Sequence, residues 1–220
     1  MWDSAVVNMI IRGIGESLQM TICSTFFGYV FGLPLGIALA VTGKNGIRPN
    51  KAVYKILDLI ANIVRSIPFL ILLILLMPFT RFIIGKSYGS TATIVPLTIA
   101  AIPFIGRMVE SSLNEVDGGV IEAAKSMGVS NFGIITRVLL VEARTSILVG
   151  VTIAIGTILG YSAMAGVIGG GGLGDIAIRY GYYRYQFDIM IVTVILLVLL
   201  VQIFQSAGMF LAKKLDRRIR

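Results

Sequence analysis

Five apolar blocks of about 20 residues each divide this chain. They run from Leu18 to Val41, Ile60 to Phe79, Thr91 to Val109, Ile147 to Ile168 and Ile189 to Leu211. A helix rises 1.5 Å per residue, so each block can cross about 30 Å of hydrocarbon. Within lipid every backbone polar group must be satisfied internally, and a stretch of this length does that as a helix. Only 14% of the residues are charged, against about 25% in soluble domains. The blocks therefore predict an all-α membrane protein with five transmembrane helices. Residues 1–17 precede the first span, 18–211 form the membrane domain, and 212–220 make a basic tail.

Five crossings place the termini on opposite sides. Lys44, Arg48, Lys51, Lys55 and Arg65 fall on one side, with Arg107, Lys125, Arg137 and Arg144, and with Lys213, Lys214, Arg217, Arg218 and Arg220. That side holds 14 of the 19 basic residues; Arg12, Arg81, Lys86, Arg179 and Arg184 take the other. The positive-inside rule puts the richer set in the cytoplasm, with the N-terminus outside and the C-terminus inside. The net charge of +8 is thereby explained by topology, and no nucleic-acid partner is expected. The N-terminus has no basic start followed by an apolar run and a small-residue cleavage site, so no cleaved leader is expected.

With no histidine and a single cysteine, Cys23, inside an apolar block, no metal site is expected. Gly85-Lys86-Ser87 resembles the tail of a phosphate loop. The glycine such a loop needs five residues before the Gly-Lys pair is Thr80 here, so this chain is not expected to bind ATP. No Asp, Glu, Lys or Arg lies near the middle of a block. Ion-coupled carriers usually need such groups, which argues against a secondary transporter.

Three stretches carry candidate chemistry. Lys51, Lys55, Asp58, Asn62 and Arg65 recur at helical spacing opposite Val53, Leu57, Ile60 and Val64. They predict an interfacial helix feeding the second span, its polar stripe either solvated or set against a partner subunit. Pro68 suits a first helical turn or a kink. In the third span, Pro96 and Pro103 are seven apart on one face and would bend it. Gly169 to Gly172 should end the fourth span as a flexible turn, or as an outer gate together with Tyr161, Ser162 and Met164. Lastly, Val120, Ala123, Ala124 and Met127 form an apolar helical face between charged positions. Asp117 can cap its start, and Gly128 stands where a left-handed glycine ends a helix. Ser130 or Asn131 can cap a second helix carrying Phe132, Ile135, Val138 and Leu139. The pattern reads as an ordinary interfacial helix or as a docking knob for a soluble partner.

The stretch "EAAKSMG" (Glu122 to Gly128), followed by "ITRVLLVEA", resembles the EAA loop of ABC importer permeases. It fits at Glu122, Ala123, Ala124 and Gly128, and departs at Val141, where the family usually has proline. "RSIPF", "PFTR", "IVPLTIAAIPFIGRMVE" and "YSAMAGVIGGGGLGD" resemble the methionine-uptake branch. The resemblance covers nearly the whole chain. It implies a type I ABC importer permease fold in a bacterial plasma membrane, and a non-catalytic subunit that pairs with a second copy of itself. It also implies two ATPase subunits, which use the ATP and magnesium, and an extracytoplasmic methionine-binding lipoprotein. Glu122, Ala123, Ala124 and Gly128 would couple to the ATPase. Ser66, Phe69, Tyr161, Ser162, Met164 and Gly172 are the candidates for the path or gate. The alternatives are a permease for another amino acid or a methionine-containing peptide, a stand-alone carrier, and a membrane scaffold.

The basic asymmetry predicts that a cysteine placed at Gly46 reacts with an impermeant maleimide only in inside-out vesicles. Labelling from outside intact cells would overturn the topology.

Overall fold

The computed structural model describes residues 3–215; Met1 and the tail from 216, with Arg217, Arg218 and Arg220, lie outside the described residues. Helix α1 (Ser4–Thr42) is followed by α2 (Lys51–Ser66), α3 (Phe69–Leu75), α4 (Met77–Ile84) and α5 (Ser90–Asn114). Next come α6 (Gly118–Ser126), α7 (Asn131–Gly133), a π-helical stretch (Ile134–Leu139), α8 (Leu140–Glu142) and α9 (Arg144–Ala165). A 3-10 turn (Gly166–Ile168), α10 (Gly172–Ile176), a second π stretch (Ala177–Tyr182) and α11 (Phe187–Leu215) complete the chain.

Helices α1, α5, α9 with its continuation, and α11 are long and apolar enough to cross a membrane. The second apolar block is not one straight helix from Ile60 to Phe79. The chain bends by 100° between α2 and α3. Pro68 has no amide hydrogen to continue α2, and it pushes Ile67 before it into the extended region (φ −80°, ψ 124°). α2 therefore lies across the direction of the short α3, and a fifth crossing exists only if Lys51–Ser66 and Phe69–Leu75 together count as one broken span. The first helix also begins well before Leu18. From Ser4 it is continuous, roughly 58 Å long by its 39 residues. Pro96 and Pro103 sit inside α5, which continues through both as one helix.

α1 and α5 form the central pair. Gly28, Gly32 and Gly36 repeat every fourth residue along one face of α1 and are buried there. A methyl group at Gly32 would lie 2.9 Å from the Ile102 carbonyl oxygen, and at Gly36 2.5 Å from that of Gly106. α5 answers with Gly106, where a methyl group would meet Leu35 at 2.9 Å. Lipid offers no hydrophobic driving force for helix pairing, so this close van der Waals contact is what associates the two helices. Met20, Leu97, Ile105 and Val109 are fully buried beside the seam, and Ala154 and Ile158 bring α9 onto it. α11 packs on α9 where Gly208 faces Thr152.

Replacement of Gly36 by alanine should lower stability by about 1–3 kcal/mol through overpacking against a backbone carbonyl. At Gly15 of the same helix an added methyl meets nothing within 4 Å. There alanine should stabilise by up to about 1 kcal/mol through helix propensity. Unfolding of both variants in mixed micelles checks the expected opposite signs.

Candidate coupling surface and translocation path

α6 is built as a rigid projection. The Asp117 carboxylate accepts from the Gly119 amide at 2.8 Å and starts the helix. At its end Gly128 takes a left-handed φ of 77°. The Gly128 amide donates to the Lys125 carbonyl (2.9 Å), and that of Val129 to the Ala124 carbonyl (3.1 Å). These two bonds close a Schellman motif and satisfy carbonyls that a helix end leaves open. Ser130, not Asn131, caps the next helix, accepting from the Gly133 amide at 3.2 Å.

The expected apolar face of α6 is split. Ala124 is buried, with the half-buried Ile121 beside it against the core. Val120, Ala123 and Met127 are exposed together with Phe132, the last two by about three-quarters of their surface. Val116 before the helix and Ile134 and Leu139 after it are all buried, and they fix the rotation that turns Ile121 and Ala124 inward. Glu122, Lys125 and Ser126 are also exposed. One end of the molecule thus presents a small surface with an apolar ridge, an acid and a base. The following segment is π-helical, so a 3.6-residue period misjudges it. Ile134, which that period leaves out, is fully buried, whereas Phe132 is exposed. The turn into α9 comes at Ala143, two residues past Val141.

Of the path candidates, the structure brings two together. Phe69 at the start of α3 and Tyr161 on α9 stack with ring centroids 4.5 Å apart and planes within 3°. Ser66 ends α2, exposed, and donates to the Asn62 carbonyl at 2.7 Å. Ser162 faces the core and gives its hydroxyl hydrogen to Leu159 of its own helix (2.7 Å), an ordinary packing role. Met164 is half exposed and Gly172 is buried.

The glycine run is held in place, which argues against a flexible turn. The Gly89 amide donates to the Gly169 carbonyl (2.9 Å), and the Thr93 hydroxyl lies 3.2 Å from that of Gly170. The Gly172 amide donates to Glu16 Oε2 (2.8 Å) and the Leu173 amide to Ser17 Oγ (2.9 Å). Gly171 and Gly172 have φ of 81° and 77°, conformations open to glycine at little cost. Glu16 and Ser17 were invisible as partners in the sequence. They precede the first apolar block, and 156 residues separate each from its donor.

A polar cluster ties α2 to α5. Arg107 reaches Glu110 Oε2 (2.7 Å), Asp58 Oδ1 and Asn62 Oδ1 (3.1 Å), while the Tyr54 hydroxyl donates to Glu110 Oε1 (3.1 Å). Burial, and then the Glu110 carboxylate, hold the Tyr54 phenol above its ordinary range and keep it a donor. Asp58 and Asn62, two of the five residues of the polar stripe expected to be solvated or set against a partner, therefore face this chain's own α5. Among the described residues no three Cys, Asp or Glu side chains gather as metal ligands would.

Apolar helices of membrane-spanning length thus pack around a glycine seam, with a capped knob at one end and a closed glycine turn at the other. Residues 32–220 match the family described as "Binding-protein-dependent transport system inner membrane component", and the chain belongs to that family. It is the non-catalytic permease part of an ABC importer, and ATP hydrolysis belongs to a separate subunit. It is 46% identical over 217 residues to the "Probable D-methionine transport system permease protein MetI" of Vibrio cholerae, covering 99% of this chain and 96% of that one. The D-methionine transport system permease protein MetI of Escherichia coli is 49% identical over 158 residues, 72% of this chain and 73% of that one. Among solved structures, one of the inward-facing conformations of the MetNI methionine ABC transporter matches with a TM-score of 0.96. The identity there is 45%, covering 98% of this chain and 100% of that one.

The stacked Phe69–Tyr161 pair should show a coupling of about 0.5–1.5 kcal/mol beyond area burial. A double-mutant cycle with Phe69→Leu and Tyr161→Leu, read by unfolding in micelles, measures it; strict additivity would mean that the stack contributes only bulk.

Proposed function

We propose that this chain is the permease subunit of an ATP-driven methionine importer in a bacterial inner membrane, working by alternating access. Two copies would enclose the path, two ATPase subunits would bind magnesium and ATP, and an extracytoplasmic lipoprotein would deliver substrate. The near full-length likeness to methionine permeases supports the substrate. The α6 projection is the observation that carries the mechanism. Its outward face offers Glu122 and Lys125 to a partner's charges, and Ala123 keeps the surface slim enough for close approach. Ala124 anchors it, and Gly128 stops the helix so that it stands proud. The N-terminus lies outside and the α6 end faces the cytoplasm in this reading.

A physical route from knob to path follows. α6 is joined to α5 through the short turn at Glu115 and Val116. Arg107 and Glu110 on α5 grip α2, and α2 ends at the Pro68 bend beside Phe69. Motion imposed on α6 by the ATPase thus reaches the Phe69–Tyr161 pair without passing through lipid. The path residues in this reading are Phe69 and Tyr161, with Ser66 at its approach and Met164 and Gly172 toward the outer end. The uncharged thioether side chain of such a substrate suits a route with no ionised side chain at mid-membrane.

Gly128→Val forces a β-branched residue into a left-handed conformation, at a cost of roughly 1–2 kcal/mol or more. The membrane helices do not depend on that turn, so the variant should reach the membrane but lose substrate-stimulated ATP hydrolysis. Membrane abundance, co-purification of the ATPase and stimulated hydrolysis are measured together. Wild-type values in all three would mean that this stretch is not the coupling element.

A further inference from the structure

The two bonds that Glu16 and Ser17 accept lie at the end of the molecule opposite α6, and the coupling route just described makes no use of them. Glu16 is shared between two donors: Oε2 takes the Gly172 amide, while Oε1 takes the exposed Arg12 at 3.0 Å. Ser17 is buried and takes the Leu173 amide. Both acceptors sit roughly three turns inside α1, the helix bound most closely to α5. Both donors sit where α10 leaves the glycine run. The fit is tight, since a methyl group at Gly172 would come within 2.6 Å of Ser17 Oγ and 2.8 Å of Met20. The chain matches a chain of an inward-facing methionine transporter with a TM-score of 0.96, and both bonds are formed in this conformation. Were the outer end to open at this run, both bonds would break.

We propose that Glu16 and Ser17 are positioning residues of the outer gate, a latch on α1 that holds the Gly169–Leu173 segment shut in the inward-facing state. This deepens the reading of the glycine run as that gate. A contact present in one state and absent from the other shifts the population by its full differential strength. Glu16 supplies a charged acceptor to a backbone amide, the stronger kind of hydrogen bond. Glutamine keeps the acceptor oxygen and alanine removes it, so the two substitutions separate the latch from simple loss of bulk.

The test uses the full chain in complex with its ATPase subunit in nanodiscs, carrying Cys23→Ala and Met20→Cys. Met20 is fully buried beneath Gly172, so reaction with a water-soluble maleimide reports opening of the run. Glu16→Ala should speed labelling about tenfold or more and raise ATP hydrolysis in the absence of substrate. Glu16→Gln, which keeps a neutral acceptor for the Gly172 amide, should fall between the parent and Glu16→Ala. If Glu16→Ala does not accumulate, Ser17→Ala, which loses one hydroxyl, carries the same comparison with a smaller rise. Equal labelling rates in the alanine variants and the parent would overturn the latch, even if thermal stability fell. Faster labelling in a complex that shows no ATP hydrolysis would support the latch and count against the importer reading.

Discussion

The approach of α1 to α5 through Gly28, Gly32, Gly36 and Gly106 sets the frame for the rest of the structure. In lipid, two apolar helices gain little from leaving their solvent, so backbone proximity has to supply the attraction. Once that seam is fixed, α9 has a surface to lie on, and α11 follows α9. The same seam fixes both ends of the molecule. Toward one end α5 carries Arg107 and Glu110 to the edge where α2 crosses it. Toward the other, α1 carries Glu16 and Ser17 under the glycine run, while the start of α5 brings Thr93 against Gly170.

Polar groups are placed accordingly. The ionised side chains that make specific contacts sit near the two ends of the seam, where partial hydration keeps the cost of burial low. Arg107 serves Asp58, Asn62 and Glu110 at once, and Glu16 serves Arg12 and a backbone amide. Between them the core hydroxyls of Thr21, Thr152 and Ser162 bond back to their own helices. The middle of the membrane layer is left as packing without fixed charge, consistent with carrying an uncharged side chain past it.

Much of this was legible in the residues. Apolar block length foretold the crossings, because the bilayer imposes it. The Asp117 cap and the Gly128 stop were readable, because each satisfies a helix end with one residue type at one place. Phe69 and Tyr161 were named as path residues separately, and their stacking across 92 positions of sequence had no local signal. What failed was rotation and continuity. The buried face of α6 is set by Val116, Ile134 and Leu139, outside the helix itself, so its own periodicity misassigned Val120 and Met127. In the segment after α6 the 3.6-residue template placed Leu139 in the core and Ile135 and Val138 against it, but it missed Ile134 at the start of the π stretch and wrongly included Phe132. Glu16 and Ser17 were set aside because hydropathy marks where a span could begin, whereas α1 continues as one helix to Ser4.

The crossing of α2 by Arg107 near its middle, with the sharp bend at its end, makes that helix a lever pivoted between two arms. Asp58 and Asn62 are the fulcrum. One arm runs back to Lys51 and the loop after α1, the other forward to Ser66 and the bend. At 1.5 Å per residue the forward arm from Asn62 to Ser66 is about 6 Å, so a tilt of about 10° carries its tip by roughly 1 Å. A small tilt of α2 would therefore be redirected at the 100° bend into a displacement at the start of α3.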